Sequence, residues 1–243
     1  MRIPRIYISQ PLAPSGSIEL EERGRHYLSQ VLRLHSGDKI IGFNGNGNEY
    51  HASIAELGSK KVVIEIESEC HPERESELQI ELGQGISRGE RMDLVFQKAI
   101  ELGVHSLAPI WTRRCQVQLS GARLEKRLLH WRGIIQSACE QSGRTIVPPL
   151  QSAASLDTWL TDSDDALAIV LDPGASLSLG ELSRASRVRL LVGPEGGLEA
   201  DEVQRAQAKG FIPVRLGPRI LRTETAAIAA LTALQTLWGD LAI

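Results

Sequence analysis

The chain is poor in cysteine and shows no ligand pattern in what it has. Cys70, Cys115 and Cys139 are odd in number, lie far apart and form no C-x-x-C pair. This argues against a disulfide framework or a zinc site and fits a reducing compartment, so a cytoplasmic location is expected. The six histidines show no H-E-x-x-H or other ligand spacing, and no metal is expected. Long apolar runs are missing too. The most apolar late stretch, AAIAALTAL at 226–234, falls short of the roughly 20 residues that span a bilayer, and no membrane partner is expected. After Met1, RIPRIYISQPLAP breaks with Pro and Ser before an apolar stretch forms, so no signal peptide is expected. The dinucleotide fingerprint is also absent. In LGQGISRGER at 82–91, Gly83 and Gly85 fit its spacing, but position 88 is Arg. The acid about twenty residues on, Glu101, falls inside a helical pattern rather than at a strand end.

What is present is the composition of an ordinary folded protein. The 243 residues are 42% hydrophobic and 23% charged, enough for one large domain or a small one plus a medium one. The net charge of −3 counts mildly against a nucleic-acid binder, but the charges are segregated. Residues 113–144 hold seven Lys/Arg against Glu125 and Glu140, and residues 205–222 hold five with no acid. Such clusters make either a local basic face or a solvated helix surface.

The first seventy residues read as short strands. DKIIGF and EYHASIAE flank the turn signal NGNGN at 44–48, and KKVVIEIES alternates with period two. A short helix is expected around EERGRHYLSQVLRL, and the whole suggests a small β-barrel over 1–71. The polar CHPERESE at 70–77 changes the rhythm and supplies a linker, taken as 72–77. From 78 to 243 strands alternate with amphipathic helices. RGERMDLVFQKAIELG places Met92, Val95, Phe96, Ala99 and Ile100 on one face, and a long helix is expected over about 122–142. This alternation predicts an α/β domain with a mostly parallel sheet and helices on both faces.

In such sheets ligands bind beyond the carboxyl ends of the strands. Two late strand ends are unusual. LLVGPEGGLEADEV at 190–203 carries Gly193 to Gly197 just before a helix, where bare amides form a polar cradle or a plain β-to-α turn. LGPRILRTETAAI at 216–228 places Arg219 and Arg222 before a helix that Thr223 caps, with Glu224 set against its dipole.

LLVGPEGGL followed by LGPRILRTETAAIAAL strongly resembles the signature of the SPOUT class of knotted methyltransferases. Among these, the chain is most similar to the ribosomal RNA small-subunit methyltransferase E family. MRIPRIY, SRGERMD with QKAIELGV, and ACEQSGR before VPP match as well, in order and over nearly the whole chain. Glu199 departs from the pattern, since a capping Ser or Thr is expected there.

The resemblance implies an N-terminal PUA-like β-barrel and a C-terminal α/β domain with a deep trefoil knot. It implies S-adenosylmethionine (SAM) as cofactor, held mainly by the backbone of three loops: Leu171 and Asp172; Gly193, Pro194, Glu195, Gly196 and Gly197; and Leu216, Gly217, Ile220, Leu221 and Thr223. It implies methylation of N3 of a uridine in 16S ribosomal RNA of the small subunit, and a homodimer. N3–H must lose its proton, and the resulting charge spreads onto O2 and O4. Arg222 is the candidate cation; Glu224 is the candidate base or simply a helix cap, and Glu195 is the second candidate base. N3 lies on the Watson–Crick edge, so the target base must be unpaired or flipped out. The expected RNA contacts are Arg2, Arg5, Arg25 and Arg33 in the barrel, and Arg88, Lys98, Arg114 and Arg144 beyond it, lining one surface. Two rival readings stay open. One is a SPOUT ribose 2′-O-methyltransferase, whose third motif usually has a Leu-Asn-type element where this chain has Leu221-Arg222-Thr223. The other is a non-catalytic RNA-binding module.

Overall fold

The structure is a computed structural model and describes residues 3–58, 61–117, 119–161 and 165–241. Two units form by contact. One runs to Glu75 and includes Gln136–Val147; the other comprises Ser76–Ile135 and the chain from Pro148.

In the first unit, β1 (Arg5–Tyr7), β2 (Gly16–Glu19), β3 (Lys39–Phe43), β4 (Glu49–Leu57) and β5 (Val62–Cys70) form one sheet in the order β1-β3-β4-β5-β2. Alternation along β4 and β5 turns Ala52, Ile54, Ile64 and Ile66 inward. There they pack with Ile6, Ile40 and Leu28 in a single apolar cluster. The expected helix appears as a short α1 (Glu22–His26) that continues as a π-helical turn over Tyr27–Val31. In the β3–β4 turn, Asn44 and Asn46 side chains accept from the amides of Asn46 and Asn48, 3.2 and 2.9 Å away. These Asx turns are what the NGNGN signal encodes.

A charge network closes this unit. Glu49, 3% exposed, pairs with Arg5 and with Arg74. Glu140 accepts from the Tyr7 amide and from Arg23. Arg144 binds Glu75 through Nε and Nη2, and the same carboxylate takes the Thr145 and Ile146 amides. A cut at 72–77 leaves residues 136–147 with the second domain; by contact they group with the first.

The second unit holds β6 (Gln79–Gly85), α2 (Glu90–Glu101), β7 (Ser106–Trp111), β8 (Ala154–Ser155), α4 (Leu156–Trp159), β9 (Leu167–Leu171), β10 (Leu177–Ser178), β11 (Arg187–Val192), α5 (Ala200–Ala208), β12 (Ile212–Arg215) and α6 (Thr223–Trp238). The long helix α3 (Gly121–Ser142) begins here. The strands order as β10-β12-β9-β11-β6-β7-β8, and every pairing is parallel. Strands buried on both faces need continuous apolar runs, and Val188, Leu190, Leu191 and Val192 of β11 are all buried. Burying each such side chain contributes about 1.5–3 kcal/mol. The apolar face of α2 is buried as its spacing predicts, and α6 packs against α2. Gln235 of α6, fully buried, donates to the Leu102 carbonyl and accepts from Ser76, so the end of α2 is held by a side chain from far along the chain.

Candidate active site

Strand order decides where the site forms. From β9 the chain adds β11 on one side and β12 on the other. Such a reversal opens a crevice at the carboxyl ends. The loops after β9, β11 and β12 therefore meet, although they lie up to about fifty residues apart in sequence. Together they enclose a cleft of about 360 Å³, within the 300–1,000 Å³ range of small-molecule sites.

Each loop has a local cause. After β9, the Asp172 amide donates to the Val214 carbonyl and its side chain accepts from the Gly174 amide, which turns the chain sharply. After β11, the Gly197 amide donates to the Pro194 carbonyl at 2.8 Å, closing a four-residue turn. Gly197 sits at φ 70°, where a side chain would strain the backbone. Arg114 braces this turn by donating to the Gly196 carbonyl at 2.9 Å. Glu199 starts α5 in place of the expected Ser or Thr: its side chain accepts from the N3 amide, and Glu202 returns the bond to the Glu199 amide. After β12, the chain runs to Thr223, whose hydroxyl donates to the Gly193 carbonyl at 2.7 Å.

All twelve residues carried over as cofactor contacts line this one cleft: Leu171, Asp172, Gly193 to Gly197, Leu216, Gly217, Ile220, Leu221 and Thr223. Val192, Leu198, Val203 and Val214 add apolar wall, and Arg114 and Arg219 add positive charge. Ile220 is 87% exposed.

The three candidate catalytic groups divide. Glu195 lines the cleft. Its Oε1 accepts from the Arg88 amide at 2.7 Å and from Arg91 at 3.1 Å. Burial pushes the carboxyl up, but the amides of Arg88 and Glu195 and the Arg91 guanidinium outweigh it and hold the group below its ordinary range. Arg222 and Glu224 flank Thr223 without lining the cleft. Arg222 is exposed and occupies the N-cap of α6. Glu224 lies in the first turn of α6, and its Oε2 is buried without a hydrogen-bond partner among the described residues.

The expected RNA contacts divide too. Arg2 lies outside the described residues. Arg5 and Arg144 are each 7% exposed. Arg5 donates to the Gly143 and Arg144 carbonyls and pairs with Glu49, while Arg144 pairs with Glu75. These guanidiniums are enclosed by their own unit and do not present themselves to phosphate. Arg33 is exposed at φ 53°, Arg25 is half-buried, and Arg88 is exposed with its amide committed to Glu195. Lys98 pairs with Glu101, and Arg114 reaches the cleft.

The reading of the sequence missed Gln84 and Arg91. Their partners in the cleft loops lie 104 to 139 residues away, and no local pattern signals that. It also missed that β-pairing sets Glu49 opposite Cys70. With His51 these make one potential metal-ligand group among the described residues, all ligand atoms within 4.8 Å of one another. Glu49 is already neutralised there by Arg5 and Arg74.

Comparison with known proteins defines the class first. Residues 74–235 match the family described as RNA methyltransferase domain, and residues 20–67 match the RNA methyltransferase PUA domain. Among relatives, the ribosomal RNA small subunit methyltransferase E of Buchnera aphidicola (subsp. Schizaphis graminum) is 39% identical over 99% of this chain and 98% of its own. That of Bacillus subtilis is 32% identical over 94% of each. The Neisseria gonorrhoeae ribosomal RNA small subunit methyltransferase E, solved bound to S-adenosyl methionine, superposes with a TM-score of 0.93 at 38% identity, over 98% of this chain and 99% of that one. The chain belongs to the ribosomal RNA small subunit methyltransferase E family. Among the described residues, no helix is long and apolar enough to cross a membrane.

Proposed function

We propose that this protein uses SAM to methylate N3 of a uridine in 16S ribosomal RNA of the small subunit. The observation that carries the reading is the convergence of three sequence-distant loops on one cleft of bare backbone and apolar wall. SAM fits that lining. Gly193, Gly196 and Gly197 put no side chain in the way of an adenosine, and Asp172 and Glu195 offer carboxylates to a cationic ligand. When bound, SAM supplies an activated methyl group.

The chain's own groups have the remaining tasks. Backbone amides and carbonyls of the three loops hold the cofactor, as its lack of phosphate requires. Arg222 and Glu224 stand on either side of Thr223, which itself lines the cleft. Glu224 takes the N3 proton; its Oε2, like that of Glu195, is buried without a hydrogen-bond partner among the described residues. Arg222, exposed at the N-cap of α6, stabilises the charge that then spreads over O2 and O4. Glu195 is the weaker base, because Oε1 is committed to Arg88 and Arg91. Arg25, Arg33, Arg88, Lys98 and Arg114 contact RNA phosphates. The protein works in the cytoplasm as a homodimer; the half-buried Ala226, Ala229 and Ala233 of α6 leave a small-residue face for close helix approach. The trefoil knot belongs to the same proposal, supported by the passage of the third loop beside the second at Thr223 and Gly193.

The test is incubation with tritiated SAM and undermethylated small ribosomal subunits, followed by mass spectrometry of the labelled nucleoside. N3-methyluridine is expected. A methylated ribose would move the assignment to the 2′-O class, and no transfer would leave only an RNA-binding role.

A further inference from the structure

LGQG at 82–85 has the glycines of a ligand loop but does not line the cleft. Packing explains the glycines. A Cβ at Gly83 would sit 2.6 Å from the Trp159 ring, and one at Gly85 would sit 2.5 Å from Pro194. The residue between them is different. Gln84 stands opposite Val192 in the β6–β11 pairing, one residue before the glycine loop begins, and is fully buried. Its Nε2 is 3.3 Å from the Gly193 carbonyl, 3.0 Å from the Thr223 hydroxyl and 3.0 Å from the Gly85 carbonyl.

Two of these partners are carbonyls and can only accept, which fixes the amide with its nitrogen toward them. The Thr223 hydroxyl gives its own proton to Gly193 and so accepts from Gln84. The three groups form a closed triangle. One corner is the start of the second cleft loop, one is the end of the third, and one is the rigid centre of the sheet. A primary amide without solvent is a costly choice for filling space, the more so because its Oε1 is buried without a hydrogen-bond partner among the described residues. An apolar residue of the same length fills it without desolvation. The hydrogen bonds are therefore the reason for glutamine at this position.

We infer that Gln84 is a positioning residue for SAM. It pins Gly193 and Thr223 to β6, so the two loops are already set when the cofactor arrives. The inference rests on the reading of the cleft as the SAM site.

The full-length protein tests this with Gln84→Met, Gln84→Glu, Thr223→Val, Thr223→Ser and the Gln84→Met/Thr223→Val pair. SAM affinity is read by calorimetry, RNA by its KM, and folding by circular dichroism. Gln84→Met is expected to weaken SAM about tenfold or more, the equivalent of one lost buried hydrogen bond, while the KM for RNA holds. Gln84→Glu, which turns a carboxylate toward two carbonyls, weakens it further. Thr223→Ser keeps the hydroxyl and binds SAM more tightly than Thr223→Val. The pair loses no more than its worse member, because both changes break one triangle. If Gln84→Met does not fold, Gln84→Glu carries the same test, since it keeps the length of the side chain and removes the donor that faces Gly193 and Thr223.

Unchanged SAM affinity in a folded Gln84→Met protein overturns the inference and leaves the cofactor reading standing. Equal losses for SAM and RNA, or additive losses in the pair, also overturn it, since they mark general loosening. A wild-type protein that binds no SAM overturns both.

Discussion

An alanine Cβ at Gly85 would lie 2.5 Å from both the backbone nitrogen and Cδ of Pro194. Neither is the free end of a flexible side chain, so the glycine loop itself must shift. Gly85→Ala is expected to lower stability by about 1–3 kcal/mol, the cost of overpacking, and to weaken SAM binding with it. Urea unfolding and calorimetry on the same preparation check this. Cys139 gives a second test. Burial, with Glu75 and Glu140 nearby and only partly opposed by Arg144, pushes its thiol up to about 12. Iodoacetamide at pH 8.5 is expected to label the exposed Cys70 and to reach Cys139 only after unfolding; mass spectrometry reads the difference. At this scale the sequence was informative where backbone chemistry is local. Gly193-Pro194-Glu195-Gly196-Gly197 announces its turn through residue types alone. Arg5 and Arg144 announce nothing. A buried, paired guanidinium and a free surface one are the same letter, and only tertiary structure separates them.

Between elements, Glu195 acts as a latch. It joins the loop after β11 to the loop before α2 through the Arg88 amide and to α2 itself through Arg91. Its folded pKa lies below the ordinary carboxylate value of 4.5. The stabilisation it provides is therefore full above that value and is lost as pH falls through the folded value. The urea midpoint of the wild-type protein is expected to drop over this acid range more steeply than that of Glu195→Gln. Parallel slopes would show that the latch contributes nothing. Element types were legible from periodicity: α2 and α3 fall within a few residues of expectation, and α5 and α6 follow the two loops expected to precede helices. The two-residue strands β8 and β10 and the short α4 were not, because so few residues carry no period. Strand order was not legible either, since it depends on pairings between distant segments.

Across the whole molecule, charge separates two kinds of arginine. Removing a cation that neutralises one RNA phosphate should reduce the salt slope of binding by about 0.7–0.9. Arg33→Ala is expected to do so with little change in melting temperature, because Arg33 is exposed. Arg144→Ala is expected to lower the melting temperature and leave the slope alone, because it strands Glu75 without its guanidinium. Filter binding over a salt series, set beside thermal melts, tells the two apart.

The cleft closes only with its third loop, Leu216 to Thr223, and the start of α6. Every other wall comes earlier in the chain. A chain ending before Leu216 lacks the third loop and the α6 residues that line the cleft, so it is expected to lose the methyl-donor site, and calorimetry with SAM on such a truncation checks this.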